Sequence, residues 1–306
     1  MPAVLRRPIL TAGIVALTLG AAAACGSSSS GGDGSTVSPA ASTAGGVDSA
    51  AAALVPASVK SKGSLLVAAD ASYAPNEYLD TDGTTVIGMD ADLAQAIGKE
   101  LGLDVTVKNA TFDAIIPGLA NGRFDLGMSS FTDTKDREKT VNFVTYFSAG
   151  TSFFTQADGG PAITSLDSLC GLKLAVESGT TQEADGKAQS KKCTAAGKAK
   201  VTVLSFNDQS QANLALKSGR ADVSAADSPP AAYQVTQSHG AFKLAAFEYG
   251  QAPYGIAVPK QDGTLDEAVL AAVKDLIANG TYGDIMSKYN LTSGAITDPV
   301  INGAIS

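Results

Sequence analysis

Between about Val59 and Leu291, short apolar runs alternate with stretches of helical period, and the alternation restarts midway. Leu65 to Ala69 has the length of a strand, and Asp82-Gly83 between Tyr78 and Val86 signals a hairpin turn. Leu93, Ile97 and Leu101 then recur at helical spacing, with Asp90 placed to cap that helix and Gly102 to end it. Leu103, Val105 and Val107 alternate as a strand; Phe112 to Ala120 predicts a helix and Asp125 to Met128 a strand. A second series follows, with strands at Leu172 to Val176, Val201 to Leu204 and Val223 to Ala226, and helices at Gln182 to Lys192 and Gln209 to Lys217. This rhythm predicts an α/β fold with mostly parallel sheets.

An internal echo supports two similar lobes. Leu119-Ala120-Asn121-Gly122-Arg123-Phe124-Asp125 and Leu216-Lys217-Ser218-Gly219-Arg220-Ala221-Asp222 share the pattern L-x-x-G-R-x-D, a helix end running into a strand. Beyond those strands stand Ser129-Ser130 and Asp227. Open parallel sheets bind ligands beyond the carboxyl ends of their strands, so two sheets are expected to face a common cleft.

The N-terminus reads as an address. Arg6 and Arg7 precede the apolar stretch Ile9 to Leu19, and Ala22-Ala23-Ala24-Cys25 forms a small-residue cleavage site. This layout resembles the lipobox of bacterial lipoproteins, with Ala22 where leucine is usual, and implies cleavage after residue 24 and lipidation of Cys25. Of the 28 residues from Gly26 to Ala53, 21 are Gly, Ser or Ala. Such a stretch buries too little to offset its ordering entropy; as a coil it would reach about 30 Å, a tether up to residue 58. Removing Cys25 leaves Cys170 and Cys193, an even number in a disulfide-permissive compartment, and they are expected to pair.

Charge and composition exclude several classes. A net charge of -8 without a basic cluster beyond the N-terminus argues against nucleic-acid partners. One histidine, His239, and three cysteines leave too few ligands for a Cys/His metal site, and a Ser-His-Asp triad would have to use His239. Neither a metal nor a cofactor is expected. Asp80, Asp82 and Gly83 resemble part of a calcium loop, but a hairpin turn accounts for them.

Five segments in order carry a resemblance: Asp70-Ala71-Ser72-Tyr73-Ala74-Pro75; Gly88-Met89-Asp90-Ala91-Asp92-Leu93; Phe112 to Leu119; Phe124-Asp125 with Met128-Ser129-Ser130 and Arg137; and Glu177-Ser178-Gly179-Thr180-Thr181-Gln182. Over about 230 residues the chain resembles the polar amino acid group of solute-binding proteins, the family 3 receptors of ABC importers. The resemblance implies a type II periplasmic-binding-protein fold, two lobes hinged around a central cleft. The boundaries it implies are a signal peptide at 1–24, lipidated cysteine and linker at 25–58, lobe 1 at 59–152 and 253–291, lobe 2 at 153–252, and a tail at 292–306. The crossings would fall near Phe153 to Gln156 and Gly250 to Gly255.

The resemblance also implies a ligand-binding set. A free amino acid presents a carboxylate and an ammonium, which call for a bidentate cation, a carboxylate and oriented dipoles. Arg137 matches the clamp on the ligand carboxylate, and Thr181, opening a helix, adds its positive end. Asp227 matches the acceptor of the ammonium, and Ser130 and Thr132 match polar contacts, with Ser129, Thr180 and Gln182 beside them. Tyr73 and Phe112 match an aromatic pair around the ligand side chain, and Asp70 the carboxylate that meets a side-chain nitrogen. Outside that context Arg137 reads as part of a solvated helix face, Tyr73 and Phe112 as core, and Asp227 as a helix cap.

Asn76 and Glu177 depart from common members, and if Glu177 faces the cleft, two carboxylates favour a cationic or amide side chain. The implied function is capture of arginine or lysine, with glutamine close behind, by a monomer anchored outside the cell membrane. It would deliver the amino acid to the permease of an ABC importer. The alternatives are a secreted enzyme on the same fold, of the cyclic-acid dehydratase type, and a sensor module.

Overall fold

The computed structural model of the chain describes residues 49–305, so the expected leader, Cys25 and most of the spacer lie outside the described residues. Two short helices, α1 (Ser49–Leu54) and α2 (Ala57–Lys62), precede β1 (Ser64–Ala69). The hairpin strands β2 (Ser72–Tyr73), β3 (Glu77–Leu79) and β4 (Val86–Ile87) lead to α3 (Met89–Leu101), β5 (Asp104–Asn109), α4 (Phe112–Ala120) and β6 (Leu126–Gly127). A 3-10 turn at Arg137–Lys139 enters the long strand β7 (Val141–Gln156). The second series is β8 (Lys173–Glu177), α5 (Thr181–Ala195), β9 (Thr202–Phe206), α6 (Gln209–Lys217), β10 (Val223–Asp227) and α7 (Ser228–Gln237). A second long strand, β11 (Phe242–Pro259), returns before α8 (Leu265–Ala278) and α9 (Thr281–Lys288).

The main sheet has the order β5-β1-β6-β11-β7-β10-β8-β9. β5, β1 and β6 run parallel, as do β10, β8 and β9. Between these parallel halves, β7 and β11 pair antiparallel with each other and with their neighbours. The two expected sheets are therefore one continuous sheet, joined by strands long enough to serve both halves. β2, β3 and β4 form a separate small sheet.

Helical structure packed on the core is already present at Ser49, ten residues ahead of the start near Val59 that the pattern predicts. Alanine is the strongest helix former, and the apolar side chains in and after α1 have a partner. Ala51 and Val55 are buried in the core that α3 and α8 also line, and Thr264 donates its hydroxyl to the Leu54 carbonyl. Composition cannot separate an alanine run that finds such a surface from one that does not.

Asp90 is not the cap of α3. Gly88 occupies that position at φ 126°, where a Cβ would lie 2.2 Å from the Asn76 carbonyl oxygen. Asp90 is the second residue of the helix and is buried, while Leu93, Ile97 and Leu101 face the core as their spacing predicts. The L-x-x-G-R-x-D echo has a structural cause. Asp125 accepts from the Leu66 N–H at 2.6 Å and Asp222 from the Lys173 N–H at 2.8 Å, so each aspartate ties the start of its own strand to the N-terminal part of a neighbouring strand. Cys170 and Cys193 are disulfide-bonded, with their Cα atoms 5.6 Å apart. The hairpin at Asp82 is held by that side chain, which accepts from the Thr84 and Thr85 N–H groups.

Candidate functional site

Four strand ends supply carboxyl or hydroxyl groups to one place. β1 runs into Asp70, β6 into Ser129 and Ser130, β8 ends on Glu177 and β10 on Asp227. Together they border one small, largely enclosed cavity. From the first half of the sheet it is lined by Asp70, Tyr73, Phe112, Ser129, Ser130, Thr132 and Arg137; from the second by Glu177, Thr180, Gln182 and Asp227. Thr181 is not among the lining residues, whereas Glu77, unmarked by the sequence pattern, is one. Thr180 caps α5, accepting from the Glu183 N–H, so Thr181 is the first helical residue and its hydroxyl turns to Gln182.

Arg137 is the only cation among these lining residues. Its guanidinium lies 5.3 Å from the Phe112 ring centroid and 5.4 Å from that of Phe131, and those two rings stack at 4.4 Å. Nη1 donates to the Thr132 carbonyl at 2.8 Å and Nη2 to the Gly179 carbonyl at 2.9 Å, so the side chain reaches from one half of the sheet to the other. Burial lowers its pKa to about 10, which still leaves it charged at neutral pH. The solvated-face reading fits its neighbours instead: Lys135 pairs with Glu138 and Lys139 with Asp136.

Asp227 has neutral donors around it. Gln182 Nε2 donates to Oδ1 at 2.7 Å and the Tyr254 hydroxyl to Oδ2 at 2.8 Å, while the Asp227 N–H donates to the Tyr73 hydroxyl at 2.8 Å. Tyr73 thus bridges from the hairpin to the second half and is more than a wall for a ligand. Burial raises the Asp227 carboxyl to about 6, although these donors and the Arg137 charge oppose the rise. The sequence gives no sign of Tyr254, which lies in β11 among Tyr146 and Phe147.

Behind the serines lies a second acidic layer. Ser129 Oγ accepts from the Asp70 N–H at 2.8 Å and donates to Glu77 at 3.0 Å. Ser130, held at φ 50°, donates its N–H to Asp90 at 2.8 Å and its hydroxyl to Glu77 at 3.2 Å. Asn76 donates to the Ser130 hydroxyl, and the Tyr146 hydroxyl to Asp90 at 2.7 Å. Glu77 and Asp90 are buried; desolvation, with Asp90 alongside, pushes Glu77 well above the usual carboxylate range, and desolvation raises Asp90 to about 6. Asp70 accepts from the Phe112 N–H at 3.0 Å, and its pKa is raised, chiefly by desolvation.

A sheet of two parallel halves joined by two long strands, with polar strand ends meeting over one small cavity, defines an α/β binding protein of the type II periplasmic fold. The chain belongs to the bacterial extracellular solute-binding proteins, family 3, whose sequence profile matches residues 65–292. It is 34% identical over 251 residues to the arginine-binding protein ArgT of Corynebacterium glutamicum, covering 82% of each chain. An ancestral arginine-binding protein, solved with glutamine and with arginine, is 36% identical in both structures, with TM-scores of 0.69 and 0.68. It covers 75% and 74% of this chain and 98% of its own. An ancestral amino acid-binding protein described as a precursor of cyclohexadienyl dehydratase is 34% identical with a TM-score of 0.69, covering 76% of this chain and 97% of its own.

Proposed function

We propose that the protein captures an L-amino acid with a cationic side chain, arginine first, outside the cytoplasm and hands it to an ABC importer. The observation that carries this reading is the charge layout of the cavity. Arg137 and Asp227 offer a cation and a carboxylate to the two ends of an amino acid backbone, and Asp70, Glu77 and Glu177 add three more carboxyls with no further cation among the lining residues. Phe112 supplies an aromatic wall, and the strand ends supply Ser129, Ser130, Thr132, Thr180 and Gln182 as hydrogen-bonding partners. The relatives described as arginine-binding support the same choice. In this reading the parallel halves of the sheet are lobes that close on the ligand, with β7 and β11 as the hinge.

Lipidation of Cys25 would hold a monomeric receptor at the membrane, and Cys25→Ser should release it into the medium. Calorimetric titration with the proteinogenic amino acids tests the central reading. Arginine or lysine should bind most tightly, glutamine more weakly, and glutamate and aspartate not measurably. Tightest binding of an acidic amino acid would contradict it. A dehydratase on this fold would instead turn over a cyclic acid, and an assay for that turnover should give no product.

A further inference from the structure

Asp70 and Glu177 come from opposite halves of the sheet, and their carboxyl groups lie within hydrogen-bonding reach of each other. Their exposures are only 4% and 3%. The charged and titratable groups facing them are mostly acidic or neutral: Asp208 ahead of α6, Asp227 at the end of β10, Glu77 on β3 and the Tyr73 phenol. Arg137, the one cation lining the cavity, already has its guanidinium on the Thr132 and Gly179 carbonyls. Two carboxylates so placed do not both ionise, and one proton is retained between them.

The hydrogen bonds say which carboxyl keeps it. Asp70 receives the Phe112 N–H at 3.0 Å, which stabilises an ionised carboxylate. Glu177 receives nothing comparable, and its Oε1 is buried without any hydrogen-bond partner. We propose that Glu177 works as a neutral acid, donating its O–H to Asp70 and offering its carbonyl oxygen to the side chain of the bound amino acid. The Glu177 carboxyl is pushed well above its usual range, first by burial and then by the Asp70 charge, in keeping with this assignment.

The inference deepens the functional reading above and rests on it. Asp70 and Glu177 together present one negative charge and two neighbouring acceptors. That set suits a planar guanidinium, which donates from several N–H groups at once, better than a compact ammonium. An amide side chain also brings an N–H to the Glu177 carbonyl oxygen but no charge to Asp70, which ranks glutamine below arginine. A ligand that fails to reach the Glu177 carbonyl oxygen leaves a buried acceptor unsatisfied, which makes the choice sharper.

Infrared spectroscopy of the unliganded protein at neutral pH tests the proton directly. A protonated-carboxyl C=O band should be removed by Glu177→Gln, and in the unsubstituted protein saturating L-arginine should move that band to lower frequency without abolishing it. No band lost in Glu177→Gln, or disappearance of the band when arginine binds, would overturn the inference. Calorimetry gives a second measure. Glu177→Leu removes both donor and acceptor and should weaken arginine binding about tenfold more than Glu177→Gln, which retains an N–H for Asp70 and a carbonyl for the ligand. The opposite order would also overturn it. Failure of the unsubstituted protein to bind arginine would overturn the functional reading and this inference with it, whereas arginine binding with a contrary Glu177 result would overturn this inference alone.

Discussion

Asp227 is buried and Arg137 half-buried, and each is hydrogen-bonded inside the cavity, so a bound amino acid would desolvate both and removing either leaves its ligand group without a counterpart. Truncating one member of a desolvated, hydrogen-bonded charge pair costs about 2 to 5 kcal/mol, or roughly 30-fold to several thousand-fold in affinity. Arg137→Ala and Asp227→Ala should each weaken arginine binding by that amount in a calorimetric titration, with far-ultraviolet circular dichroism unchanged. Phe112→Ala should cost less, about 1 to 2 kcal/mol, because Phe131 still lies against the guanidinium. Asp227 also sets a pH dependence. Its carboxyl titrates at about 6 in the unliganded protein and must be ionised to receive an ammonium. Affinity for any amino acid should therefore fall by up to about tenfold per pH unit below that value, and titrations at successive pH values would show it. A flat profile would mean that Asp227 does not meet the ammonium.

Among the elements, α5 shows how a functional helix can be held with little hydrophobic burial. Its inward stripe is Gln182, Gly186, Gln189 and Cys193, of which only the cysteine is apolar. Gly186 lets the helix approach Leu174, whose Cδ2 would lie 2.7 Å from a Cβ placed there. The disulfide fixes the far end of the helix to Cys170, while the near end carries Gln182 into the cavity. Cys170→Ser with Cys193→Ser should lower unfolding free energy by about 3 kcal/mol for a loop of this size, measured by urea denaturation. An unchanged midpoint would contradict that role. Elements of this kind were legible in the sequence: the ranges of α4 and α6 follow from their periodicity and caps. The long strands β7 and β11 were not. β7 is buried on both faces over most of its length, which erases the alternation that marks a strand, and β11 carries several register irregularities. In the site, residues named by the colinear motifs converge apart from Thr181, whereas Glu77 and Tyr254 owe their places to the hairpin and to β11, which no local spacing encodes.

For the whole molecule, the buried acids make stability a function of pH. Asp90 and Asp227 titrate at about 6, and Asp70, Glu77 and Glu177 are also raised, in every case chiefly by desolvation. Between their unfolded values near 4 and these folded values, the native chain binds more protons than the unfolded chain, so stability falls as pH rises through that window. Asp82, lowered to about 2 by its hydrogen bonds to Thr85 and Thr84, acts in the opposite sense but is exposed and screened. The unliganded protein should melt at a higher temperature near pH 5 than near pH 7.5, by scanning calorimetry. A higher melting temperature at the upper pH would show that these carboxyls do not hold protons in the fold.

The same acid-rich interior gives a cationic amino acid its reason to bind. Its backbone would meet Arg137 and Asp227, and its side chain Asp70 and Glu177. Isothermal titration of L-arginine into the unsubstituted protein and into Arg137→Ala, side by side, tests this most directly. One molecule of arginine should bind the unsubstituted protein saturably and bind the variant at least about 30-fold more weakly. Absence of binding to the unsubstituted protein, or equal affinity in the two, would contradict it.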